Sequence, residues 1–185
     1  MADIQELLTQ AYQAYYAGNY CEALSLYYKI LADDMNNSVN YYNVGLLYDT
    51  FREFELAVSY YKKSIRIDGS NIRSMNNLAR IYIDEIKDYN IAQTYLDRAI
   101  EIAPQDAEAY NLYGNISLLK NDYSIALEYF KKAIFLDPNY FKNYYDIAVA
   151  YYATGNTEEA IANVNKSIEL NPNFDKAKEL LQKLK

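Results

Sequence analysis

Residues 107–140 read AEAYNLYGNISLLKNDYSIALEYFKKAIFLDPNY, and the fold follows from this stretch. Tyr110, Tyr113, Gly114 and Ser117 are spaced three and four apart, which puts them on one face of a helix. Ala126, Phe130, Ala133 and Ile134 repeat that spacing further on. Between the two runs, Asn121 suits the left-handed residue that closes a helix, and Asp122 suits the N-cap of the next. Asp137-Pro138-Asn139 ends the second run, because proline biases the residue before it away from the helical region. The stretch is therefore a helix-turn-helix unit.

The same unit recurs along the whole chain. Pro104, Pro138 and Pro172 are spaced 34 apart, as are Ala92, Ala126 and Ala160. The aliphatic series Leu31, Ile65, Ile100, Ile134, Ile168 advances by 34, 35, 34 and 34. Gly45 and Gly114 share one repeat position, Gly18 and Gly155 another, and Gly69 takes the later proline slot. A period of about 34 residues is that of a stacked helix pair. Five copies fit, at 4–37, 38–71, 72–106, 107–140 and 141–174, in a single array over 1–185. The extra residue of the third copy is placed in its internal turn, within 84–88. Residues 174–185 form an amphipathic capping helix, with Phe174, Ala177, Leu180, Leu181 and Leu184 on one side.

Asn19, Glu53, Asp88, Asp122 and Asn156 fall at the start of each second helix. Asn19 with Glu22, and Asn156 with Glu159, resemble capping boxes. Gly18, Asn121 and Gly155 suit a left-handed turn, whereas Arg52 and Lys87 predict turns of another shape. Small residues at Ala11, Gly45, Ala79, Gly114 and Ala148 allow close helix approach, and Tyr27, Tyr61 and Phe130 fill the space between helices.

The pattern resembles the tetratricopeptide repeat. The fourth copy carries it through Tyr110, Tyr113, Gly114, Ala126, Phe130, Ala133 and Pro138. The second does so through Tyr41, Gly45, Tyr48, Ala57 and Tyr61, and the fifth through Tyr144, Ala148, Tyr151, Ala160 and Pro172. The resemblance implies an all-α α-solenoid, a right-handed superhelix of antiparallel helix pairs. It also implies a concave groove lined mainly by the first helices, which binds a protein or peptide.

Mapped onto this chain, the groove slots of the family give a polar strip of Asn43, Arg73, Asn76, Asn77, Arg80, Asn111 and Asn115, with Glu108 beside it. Asn amides pair with both N–H and C=O of an extended backbone, and an arginine fork suits a carboxylate. With 19 asparagines in 185 residues, a solvated helix face is the plainer reading. The groove ends are aromatic: Tyr12, Tyr15 and Tyr16 at one end, Tyr145 and Tyr152 at the other. These are contact surfaces or packing, and the first cluster is also a surface for self-association. The family's two-carboxylate clamp finds at most two of its five positions matched here.

Composition narrows the function further. The chain has no His, one Cys and a net charge of -7. Histidine is the commonest metal ligand and general base, so metal chemistry and catalysis are disfavoured. The single thiol, Cys21, is expected to be packed. Acidic pairs such as Asp33-Asp34 and Glu158-Glu159 read as caps or solvated charge. The charge disfavours nucleic acid as a partner. No apolar run is long enough for a membrane span, and residues 1–4 show no secretory leader. The expectation is a cytoplasmic, non-catalytic scaffold or adaptor without a cofactor, binding a protein segment. The alternatives are a homo-oligomer joined through the array ends and a chaperone for a secreted substrate.

Overall fold

The computed structural model describes residues 3–185. Met1 and Ala2, part of the stretch read for a leader, lie outside the described residues. The chain divides into two compact units, one ending at Asp88 and the other running from Tyr89 to Lys185.

The first unit holds α1 (Ile4–Tyr16), α2 (Tyr20–Asp33), α3 (Ser38–Thr50), α4 (Phe54–Ile67) and α5 (Ile72–Ile81), followed by a π-helical turn over Tyr82–Ile86. Its core stacks Ala11, Ala23, Leu26, Tyr27 and Ile30 of the first pair on Val44 and Leu47 of α3. Three phenols bind α2 to the next pair. Tyr28 Oη lies 2.6 Å from Tyr48 Oη and 3.0 Å from Tyr60 Oη. A buried hydroxyl node joins α4 to both its neighbours. Ser64 Oγ donates to the Ser38 carbonyl (2.8 Å) and accepts from Asn71 Nδ2 (3.0 Å) and Ser74 Oγ (2.9 Å).

The second unit holds α6 (Tyr89–Ile102), α7 (Ala107–Leu119), α8 (Tyr123–Leu136), α9 (Phe141–Ala153), α10 (Thr157–Leu170) and α11 (Asp175–Lys183). Phe130 of α8 is fully buried among Ala126, Ile147 and Ala150. Asn143 Nδ2 donates to the Ala133 and Asp137 carbonyls, both at 3.3 Å, and so fastens α9 to the end of α8. Tyr110 and Tyr144 occupy one repeat slot and brace the preceding turns, donating to the Pro104 and Pro138 carbonyls at 3.3 and 3.0 Å. Helix α11 buries Ala177 and Leu180, and its C-cap buries Leu184, against Ala148, Ala160 and Val164.

Four local expectations are corrected. Arg52 and Lys87 take the left-handed conformation (φ 63° and 64°), as do Asn121, Gly18 and Gly155; the turn at Lys87 does differ in closure, since Asp88 N–H reaches back six residues to the Tyr82 carbonyl (3.0 Å). In the turns at Gly18, Arg52, Asn121 and Gly155, the N–H three residues past the helix reaches back five residues to a carbonyl. Glu53 to Tyr48 at 2.9 Å is one case. This closure outweighs the roughly 1–2 kcal/mol that a Cβ costs there.

That closure also defeats the expected caps. Asn19, Glu53, Asp122 and Asn156 sit at N-cap positions, yet none of their side chains bonds a helix N–H. Their N–H groups are tied back to the preceding helix, and their ψ of 60–74° lies well short of the 107–124° at the capping residues Asp3 and Asn37. Side-chain caps occur instead at Asp3, Asn37 and Asn71, the last accepting from Ser74 N–H at 3.0 Å. Asp3 accepts from Gln5 N–H and Asn37 from Val39 N–H, both at 3.1 Å.

The extra residue of the third copy is absorbed in the π-helical turn at Tyr82–Ile86, which begins two residues before the expected stretch 84–88 and shares 84–86 with it. A π-turn accommodates one more residue without breaking the helix. Cys21 is exposed, not packed. The buried stripe of α2 runs through Ala23, Leu26, Tyr27, Ile30 and Leu31, and residue 21 lies off it.

Candidate functional site

In the first unit, the first helix of each pair contributes to one cavity of about 190 Å³. Helix α1 supplies Tyr12, Tyr15 and Tyr16; α3 supplies Val39, Tyr42, Asn43 and Leu46; α5 supplies Arg73. Tyr27 of α2 closes the floor. The rings brace one another. Tyr12 meets Tyr27 edge-on with centroids 6.3 Å apart, and Tyr15 meets Tyr16 at 5.6 Å. Tyr42 leans on Tyr61 at 5.9 Å. Asn43 Nδ2 is buried and has no hydrogen-bond partner. The cavity opens at Arg73 into a shallower cleft lined by Val39, Tyr42, Asn71 and Ile72.

The polar strip does not present itself as one row of free groups. Asn76 is 1% exposed and faces the interior, so it does not reach a ligand from solvent. Arg80 is bound to Asp49 in an ion pair, and its guanidinium also donates to Asn77 Oδ1 at 3.1 Å. Burial pushes the Arg80 guanidinium toward neutrality, but the charge and hydrogen bond of Asp49 outweigh it and hold its pKa above the ordinary value. Arg80 is therefore committed to an internal carboxylate. Asn77 Nδ2 donates to its own helix, at the Arg73 carbonyl (3.0 Å). Asn43 and Arg73 are the two members of the strip that line the cavity.

In the second unit, Asn111 is 7% exposed and donates to Asp146 Oδ2 at 2.9 Å. Asn115 Nδ2 donates to Asn111 Oδ1 at 3.2 Å. The two asparagines form a relay that ends on Asp146 and stitches α7 to α9. Tyr145 packs edge-on against Phe174 (5.1 Å), which places it under the last helix; Tyr152 is exposed. At the other end Tyr16 is 83% exposed, Tyr12 partly so, and Tyr15 half-buried.

Sequence reasoning missed Tyr27, Val39, Tyr42 and Leu46 as cavity lining. It also missed Asp49 as the partner of Arg80. One signal was available for Asp49. Within their repeats Asp49 and Arg80 differ by three positions, one helical turn, so both fall on the same face of their first helices.

Among the described residues, no group of three or more His, Cys, Asp or Glu side chains is arranged to hold a metal ion. No helix there is long and apolar enough to cross a membrane.

Models of the tetratricopeptide repeat match residues 39–71 and 85–141. A third, described as "Regulator of microtubule dynamics protein 1-3", matches residues 120–185. The chain is a tetratricopeptide-repeat protein, an all-α fold of the α-solenoid class. A crystal structure of a thermophilic TPR protein of Thermus thermophilus superposes with a TM-score of 0.82 at 19% identity, over 98% of each chain. The general transcriptional corepressor ssn6 of Schizosaccharomyces pombe is 25% identical over 78% of this chain and 13% of its own length. Stress-induced-phosphoprotein 1 of Caenorhabditis elegans is 32% identical over 49% of this chain and 31% of its own. The chain thus spans less than a third of either relative. Repeats of this family are generally non-catalytic modules of protein interaction.

Proposed function

We propose that the protein is a cytoplasmic scaffold or adaptor that binds an extended segment of a partner protein across the mouth of the cavity in its first unit, with one side chain inside. The observation that carries this reading is Asn43 Nδ2, a buried donor without an acceptor, set in a tyrosine-lined cavity open to solvent. A segment's carbonyl would satisfy it once the Asn43 side chain turns toward the opening, and tyrosine rings supply contact area at little entropic cost. The five repeats and the capping helix form the array that holds this surface in place. Neither nucleic acid nor membrane is part of the reading.

Photo-crosslinking tests it. A benzophenone amino acid in place of Tyr16, at the cavity rim, is expected to capture a partner in cells. The same group at Phe135, equally exposed in the second unit, is not. Asn43→Ala should abolish the capture. Equal capture from both positions would refute the assignment.

The exposure of Tyr16 favours one second reading, self-association through α1. Light scattering that shows a concentration-dependent mass, lost on Tyr12→Glu, would support it.

A further inference from the structure

Besides the tyrosine hydroxyls, the cavity lining offers two side-chain nitrogen donors, Asn43 and Arg73. Asn43 Nδ2 is buried and unpaired. Arg73 is exposed where the cavity meets the cleft, and among the described residues no carboxylate pairs with its guanidinium. Arg80, two turns further along α5, is neutralised by Asp49. Among the described residues, no Asp or Glu lines either the cavity or the cleft. In a chain of net charge -7, this is a lining with one free cation and no anion among the described residues. The remaining lining is phenol rings with Val39 and Leu46. A space of about 190 Å³ holds one bulky side chain and not a whole segment.

We propose that this cavity selects a segment in which an acidic side chain stands next to a bulky apolar one; this rests on the segment-binding role proposed above. The apolar side chain fills the tyrosine box, Arg73 takes the carboxylate through two N–H donors, and Asn43 Nδ2 donates to the backbone carbonyl between them. Arg73 lines both the cavity and the cleft beyond it. The segment therefore passes Arg73 and continues, so the carboxylate belongs to an internal Asp or Glu and not to a chain terminus.

The test is selection of a random twelve-residue peptide display library on the full chain, in parallel with Arg73→Glu. Arg73 is exposed, so the variant folds, which circular dichroism verifies. Selected peptides are expected to share Asp or Glu beside Leu, Ile, Phe or Met. A synthetic winner should lose at least about tenfold in affinity on Arg73→Glu, and as much when its acidic residue becomes Lys. Combining the two reversals should recover part of the loss. Winners without a shared acidic position, yet lost on Asn43→Ala, would overturn this proposal and leave segment binding in the cavity intact. No enrichment, or winners indifferent to both Asn43→Ala and Arg73→Glu, would overturn both. A dimer in sedimentation velocity that Arg73→Glu dissolves would put a second copy in the cavity and also refute the proposal.

Discussion

Replacing Gly114 by Ala puts a methyl group where the ring of Phe130 already lies. A Cβ at that position would stand 2.5 Å from Phe130 Cδ1 and 2.9 Å from Cζ. Carbon atoms in contact prefer roughly 3.5–4.0 Å. The ring has no room to turn aside, because Phe130 is fully buried among Ala126, Ile147 and Ala150. Relief requires α7 to move away from α8. Overpacking of this kind costs about 1–3 kcal/mol, and the helix preference for Ala over Gly returns about 1 kcal/mol. With a deficit of about an ångström the strain lies at the upper end, so the net loss should be about 1–2 kcal/mol. Gly45→Ala is a graded control: its Cβ would meet Tyr61 Cδ1 and Cε1 at 2.8 Å. Its loss should be smaller, since Ala11 and Tyr27 already coexist in the core of the first pair. Urea unfolding followed by circular dichroism measures both. A double-mutant cycle with Phe130→Leu isolates the clash: the double variant should be more stable than the sum of the single losses by about 1 kcal/mol. A neutral or stabilising Gly114→Ala, or strict additivity in the cycle, would refute the close-approach reasoning.

Lys87→Gly should stabilise the protein by about 0.5–1 kcal/mol, since Lys87 bears a Cβ at φ 64°; a lower urea midpoint would contradict this. Asp49→Asn leaves Arg80 partly buried without its countercharge. Because Arg80 keeps some solvent contact, the loss should be about 1–2 kcal/mol and not the full value for a buried pair. Burial holds the phenols of Tyr27 and Tyr61 well above the usual tyrosine pKa. Their contribution is fully present below pH about 10 and is lost as pH rises above it, by about 1.4 kcal/mol per pH unit for each. Phenolate absorbance should therefore rise together with loss of helix, in one cooperative step. Smooth titration of every tyrosine with the helix intact would count against it.

The fold was legible because its determinants are local and repeated. A 34-residue period, apolar positions three and four apart, and prolines at the end of each second helix from the third copy on read out directly as helix pairs. The turns were only partly legible. Arg52 and Lys87 are poor left-handed residues by type, yet the backbone closure between helices imposes that conformation on them. The same closure silenced Asn19 and Asn156 as caps.

The candidate site was less legible than the fold. The groove slots carried over from the family resemblance picked out Asn43 and Arg73, together with Asn76, Arg80 and Asn111. Packing then separated them. Asn76 went into the interior, Asp49 took Arg80, Asp146 took Asn111, and of the strip Asn43 and Arg73 came to line a cavity. The sequence by itself determined which residues form helices and which faces of those helices are apolar, because both depend on neighbours within a few residues. Only the tertiary structure decided which polar groups are satisfied within the chain, because a donor in one repeat finds its acceptor in a neighbouring repeat, 31 residues before it for Arg80 and 35 after it for Asn111.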